Sequence, residues 1–294
     1  MKKLALSPLV LGLALITEPA LPQIRQVPNR AMVYISVLGQ DQREQNQAYL
    51  NFEQQVNFSN IGMIQCPGSS DDKIDMATGW ITTTGDTFAT VAHAFQDPRT
   101  KRMINPATCH FVMYNAVGRL LDTIPIRYVR TGWDKSSNFR DRSFDYACGK
   151  LSRQPRQPIR WPEARIATGF NDRPVYLISY HGDLSNRDAV RISRGIANKM
   201  PIDAVMFARG SASWASNRDR LFQTTYDSFG GASGGMIVDV QTGIVIGLHI
   251  GSSEMTVAGA PYDPKSNFNY GIYFDDAFME MLGQVANDAS VGIG

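Results

Sequence analysis

The 294-residue chain is 43% hydrophobic and 19% charged, with 29 Lys and Arg against 27 Asp and Glu. That apolar content excludes a largely disordered chain, the balanced charge gives no polyanion-binding signal, and three cysteines are too few for a small disulfide scaffold. Twenty-five glycines and fifteen prolines point to short elements and many turns, over a length suited to about two domains.

Lys2 and Lys3 precede an apolar run from Leu4 to Ile16, followed by Thr17, Glu18, Pro19 and Ala20. A charged start, a short apolar stretch and a small residue form the layout of a secretory signal over residues 1–20, cleaved near Ala20. The run falls short of the roughly 20 residues that cross a bilayer, so the processed chain is expected in the periplasm or outside the cell, without stable membrane insertion. An oxidising compartment makes Cys66 and Cys109 the expected disulfide pair, whereas Cys148 reads as a small buried hydrophobe.

Residues 21–58 are expected to form a leader or propeptide with the first strand, and the stretch 40–57, rich in Gln and Asn, reads as surface-packed or weakly ordered. From 59 to 152, apolar runs of strand length recur at 61–65, 78–83, 88–91, 111–114, 124–129 and 146–151. A linker with Pro155, Pro158 and Pro162 covers 153–165, since proline cannot donate to a sheet ladder. A second series between 166 and 282 has strands at 175–180, 189–196, 204–208, 236–240, 244–250 and 270–274, and short strands at this spacing predict an all-β sandwich or pair of barrels. Asp275 as N-cap, with Ala277, Phe278, Met281, Leu282 and Val285 at helical spacing, predicts a terminal amphipathic helix, leaving 283–294 as a tail. The arginines between 127 and 165 lack the interleaved aromatics and charge excess of a nucleic-acid groove, so no nucleic-acid partner is expected.

Three segments carry chemistry. His93 ends an apolar strand, Asp145 leads into another, and Ser233 sits in the glycine-rich turn Gly230–Gly235. A nucleophilic serine needs a base to take its proton, and the base needs a carboxylate to fix its tautomer. Each residue alone reads as a strand end, a cap or a flexible loop; their joint order raises the functional reading. The flanking glycines allow the N–H groups of Gly231 and Ser233 to converge as an oxyanion hole. The segment Gly231–Gly235 also fits the G-x-S-x-G nucleophile elbow, but that fold places its Asp and His after the Ser, and its alternating helices are missing here.

The segments Thr90–Phe95, Phe144–Leu151 and Gly230–Met236 resemble the His, Asp and Ser motifs of the chymotrypsin-like serine peptidases, with most likeness to the bacterial branch that includes the glutamyl endopeptidases. The resemblance spans roughly residues 60 to 282. It implies an all-β fold of two packed antiparallel six-stranded β-barrels with a C-terminal α-helix and the active site in the cleft between them. It further implies a catalytic triad of His93, Asp145 and Ser233, an acyl-enzyme on Ser233, protein or peptide substrates, and no metal or organic cofactor. Val37–Arg43 looks like the start of a mature chain, which would make 21–36 a propeptide; an ordinary first strand with its lead-in is the other reading. Ala232 stands where the digestive enzymes carry an aspartate, so their zymogen switch cannot operate. Ser228, His249 and Ser252 would line a pocket for an acidic residue before the cleaved bond. Asp227 is the competing signal for a basic one, and a non-catalytic double-barrel binding protein is the alternative from a different class.

Overall fold

The computed structural model describes residues 37–45, 59–67, 74–96, 102–115, 118–135, 141–167, 171–182, 190–201, 217–253 and 259–288. The signal segment 1–20 and the expected strand at 204–208 lie outside these residues. A short first strand, β1 (Glu44–Gln45), is followed by β2 (Ile61–Pro67), β3 (Ile74–Thr82), β4 (Thr87–Thr90), β5 (His110–Tyr114), β6 (Leu120–Thr131) and β7 (Ala147–Leu151). Strands β2 to β7 close into an antiparallel barrel in the order β2-β3-β4-β7-β6-β5.

The second series comprises β8 (Arg173–Ser179), β9 (Arg191–Lys199), β10 (Leu221–Thr224), β11 (Met236–Asp239), β12 (Val245–Ser252) and β13 (Asn269–Tyr273). It closes as well, because β8 pairs with both β11 and β9, while β1 adds to β9 outside the ring. The pair of six-stranded barrels expected from the sequence is therefore present, and closure leaves neither barrel with a run of unpaired edge groups.

The alternation of side chains sorts the core into two barrel interiors and a seam. Ile64, Ala77, Ile81, Phe88 and Phe111 fill the first barrel, and Val175, Leu177, Phe222 and Ile237 the second. Phe111 packs where a Cβ on Gly62 would lie 2.0 Å from its ring, and Phe222 packs in the same way against Gly271, at 2.6 Å. The opposite face of the first barrel carries Ile61, Met63 and Trp80, which share one buried cluster with Ile178, Met236 and Leu248 of the second.

One strand escaped the sequence pattern. In β10 all four residues are buried, including Gln223 and Thr224, whose side chains bond the Lys199 and Asn269 carbonyls, so no alternation marks it. The terminal helix α1 (Asp276–Asn287) is capped by Asp275, whose carboxylate accepts from the Phe278 N–H at 3.0 Å. Although α1 follows the second barrel in sequence, it docks on the first: Lys150 Nζ donates to the Ala286 carbonyl and Arg130 Nη1 to Gln284 Oε1.

Cys66 and Cys109 form the expected disulfide, joining β2 to the entry of β5 across a sequence separation of 43 residues. Both are buried. Replacing both by alanine is expected to lower the unfolding free energy by about 4 kcal/mol, the loop-entropy value for this span, read as a reduced urea midpoint with a somewhat steeper slope as the unfolded chain expands.

Candidate active site

The last rung between β4 and β7 pairs Thr90 with Ala147. His93 lies three residues beyond that rung on one strand and Asp145 two residues before it on the other, so antiparallel pairing alone brings them together. His93 occupies the 3-10 turn Ala92–Ala94, and Asp145 caps the C-terminus of the 3-10 turn Arg142–Phe144. The Asp145 carboxylate holds His93 at two points: the His93 backbone N–H donates to Oδ1 at 2.9 Å and the ring Nδ1 bonds Oδ2 at 2.8 Å. A carboxylate at Nδ1 assigns the proton to that nitrogen and leaves Nε2 with its lone pair. The His93 side chain is 25% exposed while that of Asp145 is fully enclosed.

Burial alone would raise the Asp145 pKa. The charge of His93, its two hydrogen bonds and the Arg142 guanidinium outweigh burial and hold the carboxyl well below the usual range. Arg142 Nη1 reaches Oδ2 at 2.5 Å. The sequence reading missed this arginine, because nothing in the sequence marks the 3-10 turn that sets i and i+3 on one face.

Ser233 lies in the turn before β11, stitched to both barrels. Its carbonyl accepts from the Thr78 N–H of β3 at 2.8 Å, and the next N–H, that of Gly234, donates to the His249 carbonyl of β12 at 2.8 Å. Gly234 has φ +87, and a Cβ there would lie 2.1 Å from the Thr78 carbonyl oxygen and 2.3 Å from Thr90 Oγ1, so glycine is required on both counts. The Ser233 hydroxyl donates to the Ile250 carbonyl at 3.1 Å, and among the described residues it makes no hydrogen bond to His93. The Ala232 N–H donates to the Phe229 carbonyl, and with Gly231 at φ +96 in the third position this is a type II turn. The Gly230 carbonyl is taken by the Gly182 N–H at 2.8 Å; because the peptide is trans, the Gly231 N–H points the opposite way.

The remaining expected site residues cluster beneath this turn. Asp227 is 2% exposed, and its two oxygens accept from the backbone N–H groups of Leu38 and Gln42, each at 2.7 Å. Burial pushes its carboxyl up, opposed by those two bonds. Ser228 Oγ donates to Asn269 Oδ1, Asn269 Nδ2 donates to the Tyr226 carbonyl, and Ser252 pairs with Asn269 across the β12–β13 ladder. His249 is buried, with Nδ1 3.0 Å from the Tyr226 hydroxyl. Burial, with a smaller push from His93, lowers its pKa to about 3, against the opposing hydrogen bond with the Tyr270 backbone. Asn269 went unnoticed in the sequence because its role comes from cross-strand neighbours. Cys148 is buried and its thiol pKa is pushed up by burial, which agrees with its reading as a small hydrophobe.

A family model described as a trypsin-like peptidase domain matches residues 77–248, more than half of the chain. No curated protein matches in sequence. Among solved structures, a Glu endopeptidase determined with MPD superposes at TM-score 0.59 and 16% identity, covering 85% of this chain and 99% of its own. The protease Anisep from Arthrobacter nicotinovorans gives 0.55 at 15% identity, covering 79% of this chain and 97% of its own. A thermostable serine protease from an extremophilic microorganism gives 0.54 at 16%, covering 78% and 98%. At these identities the likeness is one of fold.

Two buried imidazoles set an acid limit on stability. Burial comes first among the causes holding His181 well below the ordinary histidine value of 6.5 and His249 at about 3, so both are neutral in the fold. Below pH 6.5 the unfolded chain takes up protons that the folded chain cannot, and stability falls as pH drops from there toward 3. Urea midpoints between pH 7 and pH 4.5 are expected to decline, and His249→Gln to make the decline shallower by up to about 1.4 kcal/mol per pH unit.

Proposed function

The chain belongs to the trypsin-like peptidase family, a serine-type endopeptidase by that membership, and on this premise we propose that it is an exported enzyme that cleaves peptide bonds through an acyl-enzyme on Ser233. The observation that carries the reading is the two-point hold of Asp145 on His93, with Nδ1 2.8 Å from the carboxylate and Nε2 left as the base. Rotation of the Ser233 hydroxyl away from the Ile250 carbonyl turns its proton toward His93 Nε2. As the proton passes to His93, Oγ attacks the substrate carbonyl, and the imidazolium that forms is stabilised by Asp145. The N–H groups of Gly231 and Ser233 receive the developing oxyanion. His93 then protonates the leaving amine, and the same base activates the water that hydrolyses the acyl-enzyme.

An acidic residue before the cleaved bond is the preferred substrate feature. Ser228 and Ser252, joined by Asn269, together with His249 on the Tyr226 hydroxyl, supply neutral polar groups at the pocket, and His249 acts there uncharged at working pH. A basic residue is disfavoured because the Asp227 oxygens are each engaged by the N–H groups of Leu38 and Gln42. Export rests on the signal layout of residues 1–20 and agrees with the Cys66–Cys109 disulfide.

The hydrogen bond from Ser233 to Ile250 is the one feature that favours a non-catalytic double-barrel binding protein. Labelling with a fluorophosphonate separates the two readings. Wild type is expected to label at Ser233, and Ser233→Ala or His93→Ala to lose about 10⁴- to 10⁶-fold in peptide hydrolysis. A folded wild-type protein that neither labels nor cleaves supports the binding reading. On a peptide library, cleavage after Glu or Asp is expected to exceed cleavage after Lys or Arg, and the opposite order would return the specificity role to Asp227.

A further inference from the structure

We propose that Thr78 is a positioning residue for the oxyanion hole, acting from the first barrel on a turn that belongs to the second. The inference rests on the reading of Gly231 and Ser233 as the oxyanion donors.

Thr78 stands in β3 on the face that packs against the second barrel, two residues from Trp80, and is fully buried. A hydroxyl on an otherwise apolar seam needs partners, and its partners lie across the seam. Thr78 Oγ1 donates to the Gly231 carbonyl at 2.8 Å and accepts from the Tyr180 N–H at 3.0 Å. Its backbone N–H donates to the Ser233 carbonyl at 2.8 Å. This last bond is available because the β3–β4 ladder ends at the Trp80–Ala89 rung, leaving the next stretch of β3 edge open to the nucleophile turn.

Both residues assigned as oxyanion donors therefore have their carbonyls held by one threonine. The hold matters most at Gly231, which has φ +96 and no Cβ to restrict it. The direction of its N–H depends on the two flanking peptides. Gly182 fixes the carbonyl of the one before, and the Thr78 hydroxyl fixes the carbonyl of the one after. The other end of that second peptide is held by the Ala232 N–H bond to the Phe229 carbonyl. With the Thr78 hydroxyl gone that bond alone restrains the peptide, the Gly231 backbone is freer to tilt its N–H away from the hole, and an oxyanion donor is weakened although no catalytic residue has changed.

The test is kinetic. Thr78→Val keeps the branched shape and removes the hydroxyl, and is expected to lower kcat about 10- to 100-fold, toward the cost of losing one oxyanion donor, with KM nearly unchanged. Binding of a peptide aldehyde, whose adduct carries the oxyanion, should weaken by a similar factor. Thr78→Ser restores the hydroxyl and should return kcat to within about threefold of wild type. If Thr78→Val does not fold, the Ser and Ala variants, which differ only in the hydroxyl, carry the comparison. Equal kcat and aldehyde affinity in the variants with and without the hydroxyl would overturn the role of Thr78 while leaving the peptidase reading intact. Failure of wild type itself to label at Ser233 would instead overturn the reading on which it rests.

Discussion

A single enclosed carboxylate, that of Asp145, organises the first barrel's share of the site. A buried anion without partners is costly enough that the fold must supply donors, and here they are the His93 N–H, the His93 ring and Arg142. Satisfying that charge fixes the turn after β4 and the turn before β7 in one arrangement, and with them the tautomer and direction of the imidazole. The same carboxylate that must be satisfied for the barrel to fold is the one that, in the proposed mechanism, prepares the base. Arg142 adds a permanent cation to the pair, so the negative charge felt by the imidazole is already shared before catalysis begins.

The second constraint is the seam. The nucleophile turn draws hydrogen bonds from β3 of one barrel and β12 of the other, and helix α1 crosses back from the second barrel to lie on the first. These exchanges couple barrel packing to the geometry of the turn. Family membership accounts for the fold and the class of reaction, and the contacts of the Thr78 hydroxyl and the Arg142 guanidinium show how this chain ties its turns in place.

Much of the fold was legible in the sequence because closed antiparallel barrels repeat one pattern: short apolar runs between turn residues, ended by a capped helix. The segments carrying His93, Asp145 and Ser233 stood out through order and flanking glycines, and the pairing of β4 with β7 brings the first two together. Apart from Arg142, whose partner is three residues away, what could not be read depended on partners brought in from other strands. Leu221–Thr224 hid as a strand because its polar residues are buried and hydrogen-bonded, and Asn269 carried no motif although it meets Ser228 from across the sheet. Asp227 was legible as an acid near the pocket, but the donors that occupy its oxygens come from residues nearly two hundred positions away, a distance over which no spacing rule operates.

Those two bonds, spanning separations of 189 and 185 residues, also have a kinetic meaning. Bringing such remote parts of a chain together carries a large loop-closure entropy, and long-range contacts of this kind form slowly unless other structure has already shortened the loop. The barrels provide that shortening. The segment Leu38–Gln42 is among the earliest parts of the described chain to be synthesised, yet its docking on Asp227 is expected to wait for both barrels to close.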